Sequence, residues 1–243
     1  FTGNLNVRDI EVQLSYACAH EDYKGFNLIG NPYSHNIVRG ENFPSYPLED
    51  KYYTLSTNGT WNLTENNVPI APTQAILVQA KDATNLVITS TAYSPDRSMY
   101  SNNDNITFTV KNNNFTDKAC VEFKAGRGLN KIEHRNEHAP MLYVNYNNER
   151  FASVDMSDDT KVIDLGFESK NMSQYTLSVN ANGNFSYLHL IDKVASKDID
   201  MLIYDSYTFI GMPNDRKDRF EVVIAHNDAN SSTPTEIFAY QNV

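Results

Sequence analysis

Apolar and polar residues alternate with a two-residue period in short runs along most of the chain. That is the pattern of strands buried on one face. Glu11-Val12-Gln13-Leu14-Ser15-Tyr16 alternates cleanly, and Phe26-Asn27-Leu28-Ile29 ends at the turn signal Gly30-Asn31-Pro32. Tyr52-Tyr53-Thr54-Leu55 and Thr60-Trp61-Asn62-Leu63 flank Asn58-Gly59, which predicts a hairpin with positive φ at both turn positions. Ala75 to Ala80 and Leu86 to Thr89 complete a first strand-rich stretch. A second set begins with Ile106-Thr107-Phe108-Thr109-Val110 and Ala119 to Phe123, and closes with Phe220 to Ile224. Within it, Tyr175 to Val179 and Tyr187 to Ile191 flank Asn182-Gly183 and predict another hairpin. No long amphipathic helix interrupts the series.

Thr91 to Asn105 breaks the alternation with Ser-Pro-Asp and a Ser/Asn run, so the domain boundary is placed there. The expected fold is all-β: two tandem antiparallel β-sandwich domains of jelly-roll or Ig-like type, over residues 1–95 and 103–226. Residues 227–243 are read as a tail. The linker suggests hinge motion. Cys18 and Cys120 are the only cysteines, far apart and without metal-ligand spacing. Two half-buried thiols are the ordinary reading, and a bridge between the domains is the alternative.

Composition narrows the partners. Lys and Arg number 20 against 30 Asp and Glu, and both halves are acidic, so nucleic acid and anionic membrane surfaces are disfavoured. No apolar run is long enough for a membrane-spanning helix, so no membrane insertion is expected. The chain opens on Phe1 and is read as a piece of a longer precursor. Its 15 Tyr, 12 Phe and one Trp suit pleated surfaces.

Residues able to do chemistry are scattered. No nucleophile elbow, zinc-protease, P-loop or dinucleotide motif occurs, and Gly126-Arg127-Gly128 reads as a turn. His134 and His138 have the spacing of a helical metal pair, but Asn130 to Pro140 is polar, lacks an apolar stripe and reads as a solvated loop. His189 sits on a strand, on the face opposite Leu188 and Leu190. Asp155, Asp158 and Asp159, and separately Asp198 and Asp200, could offer hard oxygen ligands to calcium, although neither run matches an EF-hand. Trp61 is the candidate ligand-binding platform, since sugars stack on aromatic rings; core packing is the competing role. Seven Asn-x-Ser/Thr triplets follow from the richness in Asn.

Two stretches carry a resemblance. Gly25-Phe26-Asn27-Leu28-Ile29-Gly30-Asn31-Pro32-Tyr33, with Tyr52 to Leu55 and Trp61 downstream, resembles the GFNLVGNPF segment of large secreted surface proteins of the Bacteroidetes. Tyr187 to Asp192, Asp198 to Leu202, Ser206 to Phe209 and Arg219 to Val223 resemble the region preceding the C-terminal sorting domain of those proteins, which the type IX secretion system reads. Gly126-Arg127-Gly128-Leu129 is similar to EGRGLPK of that region, with Asn130 where the family has Pro; the loop Asp192 to Lys197 departs further. Ile237 to Asn242 resembles the first strand of the sorting domain, here truncated. The resemblance implies a secreted or outer-surface location, upstream domains of the same precursor as partners, and no catalysis in this part.

Three functions compete at this point. The first is a non-catalytic structural or presenting segment. The second is an adhesin-like module binding glycan or host protein, which would show as a row of exposed aromatics. The third is a hydrolase without a recognised motif, which would need two facing carboxylates in a cleft.

Overall fold

The computed structural model describes residues 6–17, 23–44, 46–91 and 104–227. The expected boundary near 96–102, Cys18 and the tail from 228 lie outside the described residues. In chain order the first strands are β1 (Ile10–Gln13), β2 (Phe26–Gly30), β3 (Ile37–Val38), β4 (Tyr52–Leu55), β5 (Trp61–Thr64), β6 (Pro69–Ile70), β7 (Ala75–Gln79) and β8 (Asn85–Ile88). One helical turn, α1 (Arg39–Asn42), follows β3. Then come β9 (Asn105–Lys111), β10 (Thr116–Phe123), β11 (Gly128–Asn130), β12 (Met141–Tyr146), β13 (Glu149–Met156), β14 (Val162–Glu168), β15 (Ser173–Asn182), β16 (Phe185–Asp192), β17 (Lys197–Asp200), β18 (Ser206–Gly211) and β19 (Phe220–His226). The fold is all-β.

The amino-terminal unit distributes its strands over three small sheets, β1-β8, β2-β7-β4-β5 and β3-β6. They enclose a core that includes Leu14, Ile29, Ile37, Leu48, Tyr52, Ile76 and Leu86. The carboxy-terminal unit is a single eleven-stranded sheet in the order β17-β16-β19-β14-β12-β13-β10-β9-β15-β18, with β11 also on β13. Its strands follow the two-residue period: Ile106, Phe108 and Val110 of β9 are fully buried while their neighbours are not. The sheet folds over on itself as a sandwich. Phe209 of the terminal strand β18 meets Phe220 of β19 edge-on at 5.0 Å, and Phe167 of β14 packs on both.

The two predicted hairpins fare differently. β4 and β5 do pair antiparallel around Asn58-Gly59. Their connection is longer than two residues, however, and only Gly59 has positive φ; Asn58 instead turns its side chain onto the Thr60 N–H and hydroxyl. Asn182-Gly183 does not close a hairpin. Both edges of β15 are taken, by β9 and by β18, so β16 crosses to the other layer and pairs with β17 and β19. Gly183 serves that crossover with φ of 140°, where a Cβ would meet the Asp104 carboxylate at 2.5 Å.

Candidate functional site at the seam between the two units

The two units meet along a seam. Tyr53, Leu129, Ile132 and Ala152 form its buried apolar centre, and Phe26, Trp61, Leu63 and Leu77 pack against it. Hydrogen bonds fix the register. Tyr53 donates its hydroxyl proton to the Asn130 carbonyl at 2.7 Å. The Gln79 side chain pairs with Asn130 twice, donating to Asn130 Oδ1 at 2.7 Å and accepting from the Asn130 N–H at 2.9 Å. A proline at 130 has no N–H to give, so Asn130 is the residue that lets Gln79 be satisfied on both atoms. At the hairpin tip, Asn136 donates its N–H to the Gly59 carbonyl and its side-chain amide to the Asn58 carbonyl.

Beneath Trp61 lies a buried polar group of three. The Asp117 carboxylate accepts from Lys131 Nζ at 2.7 Å and 2.5 Å, and from the Leu142 N–H at 2.7 Å. His134 Nε2 lies 3.4 Å from Asp117 Oδ2, and all three side chains are almost sealed from solvent. The backbone N–H of Trp61 donates to His134 Nδ1 at 3.0 Å. Nδ1 is therefore the acceptor nitrogen, which leaves the ring proton on Nε2, facing Asp117. Burial pushes Asp117 upward, but Lys131 and His134 outweigh it and hold the carboxyl below its ordinary value. A cavity of about 140 Å³ opens beside this group, walled by Trp61, Asn62, Leu63, Thr116, Asp117 and Lys118. It has room for a few waters. Both Asp117 oxygens are already engaged, so the cavity meets no free base.

A second polar lattice ties the units further along. Lys51 bonds Glu65 of its own unit at 2.7 Å and Glu122 of the other at 2.5 Å. Lys124 likewise bridges Asp50 and Glu122. Glu49, raised by burial, accepts the Gly128 N–H across the seam at 3.3 Å.

The residues singled out from sequence are placed as follows. Trp61 is half-buried and presents its ring edgewise to Tyr53, with centroids 6.4 Å apart; its packing belongs to the seam. The stretch from Asn130 to Pro140 is not a solvated loop. Asn130, Lys131, Ile132, Ala139 and Pro140 are buried, as is the His134 side chain. His134 and His138 share no helix face; the exposed His138 bonds Asn171. Asp155 and Asp158 line one cavity with Lys124, Gly126, Tyr146 and Ser157, whereas Asp159 accepts from the Ser157 hydroxyl. Asp198 and Asp200 lie on the β16–β17 pair beside His189, at opposite ring nitrogens, 2.7 Å from Nδ1 and 3.8 Å from Nε2. Carboxylates so placed do not converge on one ion. Among the described residues, no group of three or more His, Cys, Asp or Glu is arranged to hold a metal. Cys120 is a free buried thiol, pushed up to about 11 by burial. No described helix is long and apolar enough to cross a membrane.

The seam and its buried charges were hidden from sequence reasoning because their partners come from other elements, and for Lys51, Lys124 and His134 from the other unit as well. The usable signal was local: Lys131, Ile132 and His134 stand in a short run between two strands, and one buried residue in such a run argues for its neighbours. No protein-family model, curated protein or solved structure matches the chain, so its function is argued from its own residues.

Proposed function

We propose that this chain is a non-catalytic structural segment that holds and presents neighbouring domains of a secreted or cell-surface protein. The observation that carries the reading is the seam. The polar side chains best suited to chemistry, Asp117, Lys131 and His134, are spent on one another and on backbone groups at the joint. The large aromatics support the same reading. Tyr52, Tyr53, Tyr143, Tyr175, Phe108, Phe167 and Phe220 are fully buried. The exposed ones among the described residues, Tyr23, Tyr46, Tyr146 and Tyr204, stand on separate connections and strand ends rather than in one row. The strand and turn phrases shared with the Bacteroidetes surface proteins supply the proposed location and the proposed partners, the adjoining domains of the precursor.

A presenting segment should behave as one rigid body. Calorimetry is expected to show a single cooperative transition for both units, with matching calorimetric and van't Hoff enthalpies. Two separate transitions, or turnover of any polysaccharide or peptide, would overturn the reading. A polysaccharide that raises the melting temperature of the chain but not of Trp61→Ala would replace it with glycan binding at the Trp61 cavity.

A further inference from the structure

We propose that Asp155 makes the seam proton-sensitive: the joint between the two units is tight in mild acid and loosens as the medium approaches neutrality. Asp155 is the next-to-last residue of β13, and its side chain is only 10 % exposed. Its N–H donates to the Arg127 carbonyl, and its carboxyl group lines the cavity it shares with Lys124, Gly126, Tyr146, Ser157 and Asp158. Gly126 lies against it so closely that a Cβ there would meet Asp155 Oδ2 at 1.9 Å. The nearest cation is Lys124 Nζ at 3.8 Å, and that ammonium is already held by Asp50 and Glu122.

The groups around Asp155 are mostly of its own sign. Glu122 faces it from β10. Glu49 and Asp50 act on it from the amino-terminal unit, and Asp158 shares its cavity from the turn after β13. On the positive side, Lys124 stands in the connection after β10, Arg127 before β11, and Lys81 at 3.6 Å from Glu49. Tyr146 of β12 contributes an uncharged wall. Burial, with Glu122, Asp50 and Glu49 adding to it against Lys124, raises the Asp155 carboxyl from 3.8 to about 6.

Two of the repelling carboxylates lie across the seam, and such coupling is reciprocal. A proton on Asp155 relieves Asp50 and Glu49 by as much as they favour that proton. Lys124 then belongs to Asp50 and Glu122 alone. The sign follows from a folded-state value above the unfolded one. The stabilising contribution is complete below the ordinary value of 3.8 and is lost as pH rises through about 6.

Trp61 is the single tryptophan of the chain and packs at the seam, so its fluorescence reports the joint directly. Urea unfolding followed at Trp61 is compared for the intact chain and Asp155→Asn. At about pH 7.5 the unfolding constant of Asp155→Asn is expected to be smaller on the order of 100-fold; the gap should shrink to about tenfold near pH 5 and to within about threefold near pH 4. Groups titrating elsewhere act on both proteins and drop out of the comparison. An equal gap at every pH would assign Asp155 a packing role and overturn the proposal, as would a variant less stable than the parent at neutral pH. Asp155→Ser, which removes the charge without adding an amide, must show the same narrowing toward acid if Asp155→Asn does not fold.

Discussion

Asp117→Ala should be the most damaging single change in this protein, with a loss of about 3–5 kcal/mol. Among the described residues, the carboxylate is the only counter-charge bonded to the Lys131 ammonium, whose side chain is 1 % exposed. Removing it strands a cation in the interior, together with the Leu142 N–H and the Nε2 proton of His134. A loss of that size takes a large part of the about 5–15 kcal/mol that holds an ordinary domain folded. Urea denaturation followed by circular dichroism measures it. Asp117→Asn paired with Lys131→Met should recover a good part of the loss, because the orphaned charge is then gone. A double variant as weak as Asp117→Ala would mean that the loss comes from the Leu142 bond and local packing instead. Acid should mimic the substitution in part. The folded-state value lies below the ordinary one, so the contribution holds above the carboxylate range and fades as pH falls through it.

Arg219→Met is expected to cost a comparable amount, about 3–5 kcal/mol, at the far end of the carboxy-terminal sandwich. Arg219 grips the wholly buried Asp192 in bidentate fashion, Nε to Oδ1 at 3.1 Å and Nη2 to Oδ2 at 2.7 Å. Nη1 bonds Asp215 and the Ile210 carbonyl. The guanidinium also lies over Phe209, 4.4 Å from the ring centroid. Asp192 in turn accepts from the Val194 and Ala195 N–H groups and from the Tyr207 hydroxyl, so one fork holds β16, β18, β19 and the loop after β16. Methionine fills the space between the rings but leaves Asp192 without its counter-charge. Arg219→Lys keeps the charge and loses the planar fork, and should fall between the two. Thermal unfolding of the three proteins checks the ranking; equal melting temperatures for Arg219→Met and the parent would refute the assignment.

The strands were legible because one-sided burial writes a two-residue period, as Ile106, Phe108 and Val110 show. Which strands pair was less legible. Asn182-Gly183 has the residues of a hairpin turn, but turn chemistry fixes only a reversal of direction, and it does not reveal that β15 has both edges occupied. The site was the hardest part. Lys131 and His134 read as part of a solvated loop, and Asp117 drew no notice, because a charge reveals its burial only through a partner and these partners lie on separate elements. Trp61 stood out as an isolated ring, yet the ring packs against the seam and only the backbone N–H of the residue reaches His134. Asn130 reads as a single turn residue; its Oδ1 and its backbone N–H instead satisfy Gln79.

The position of β19 in the sheet bears on timing. It is the last described strand in the chain, yet it lies inside the sheet, between β16 and β14. Val162 and Ile163 of β14, and Phe185, Tyr187 and Leu188 of β16, find a strand partner only on it. A polypeptide emerging amino end first, from a ribosome or through a pore, can form β9, β10 and β15 early but cannot close its sandwich until residues 220–226 are out. Until then β14 and β16 present open edges. The order of the strands thus delays completion of the carboxy-terminal unit to the end of its own delivery.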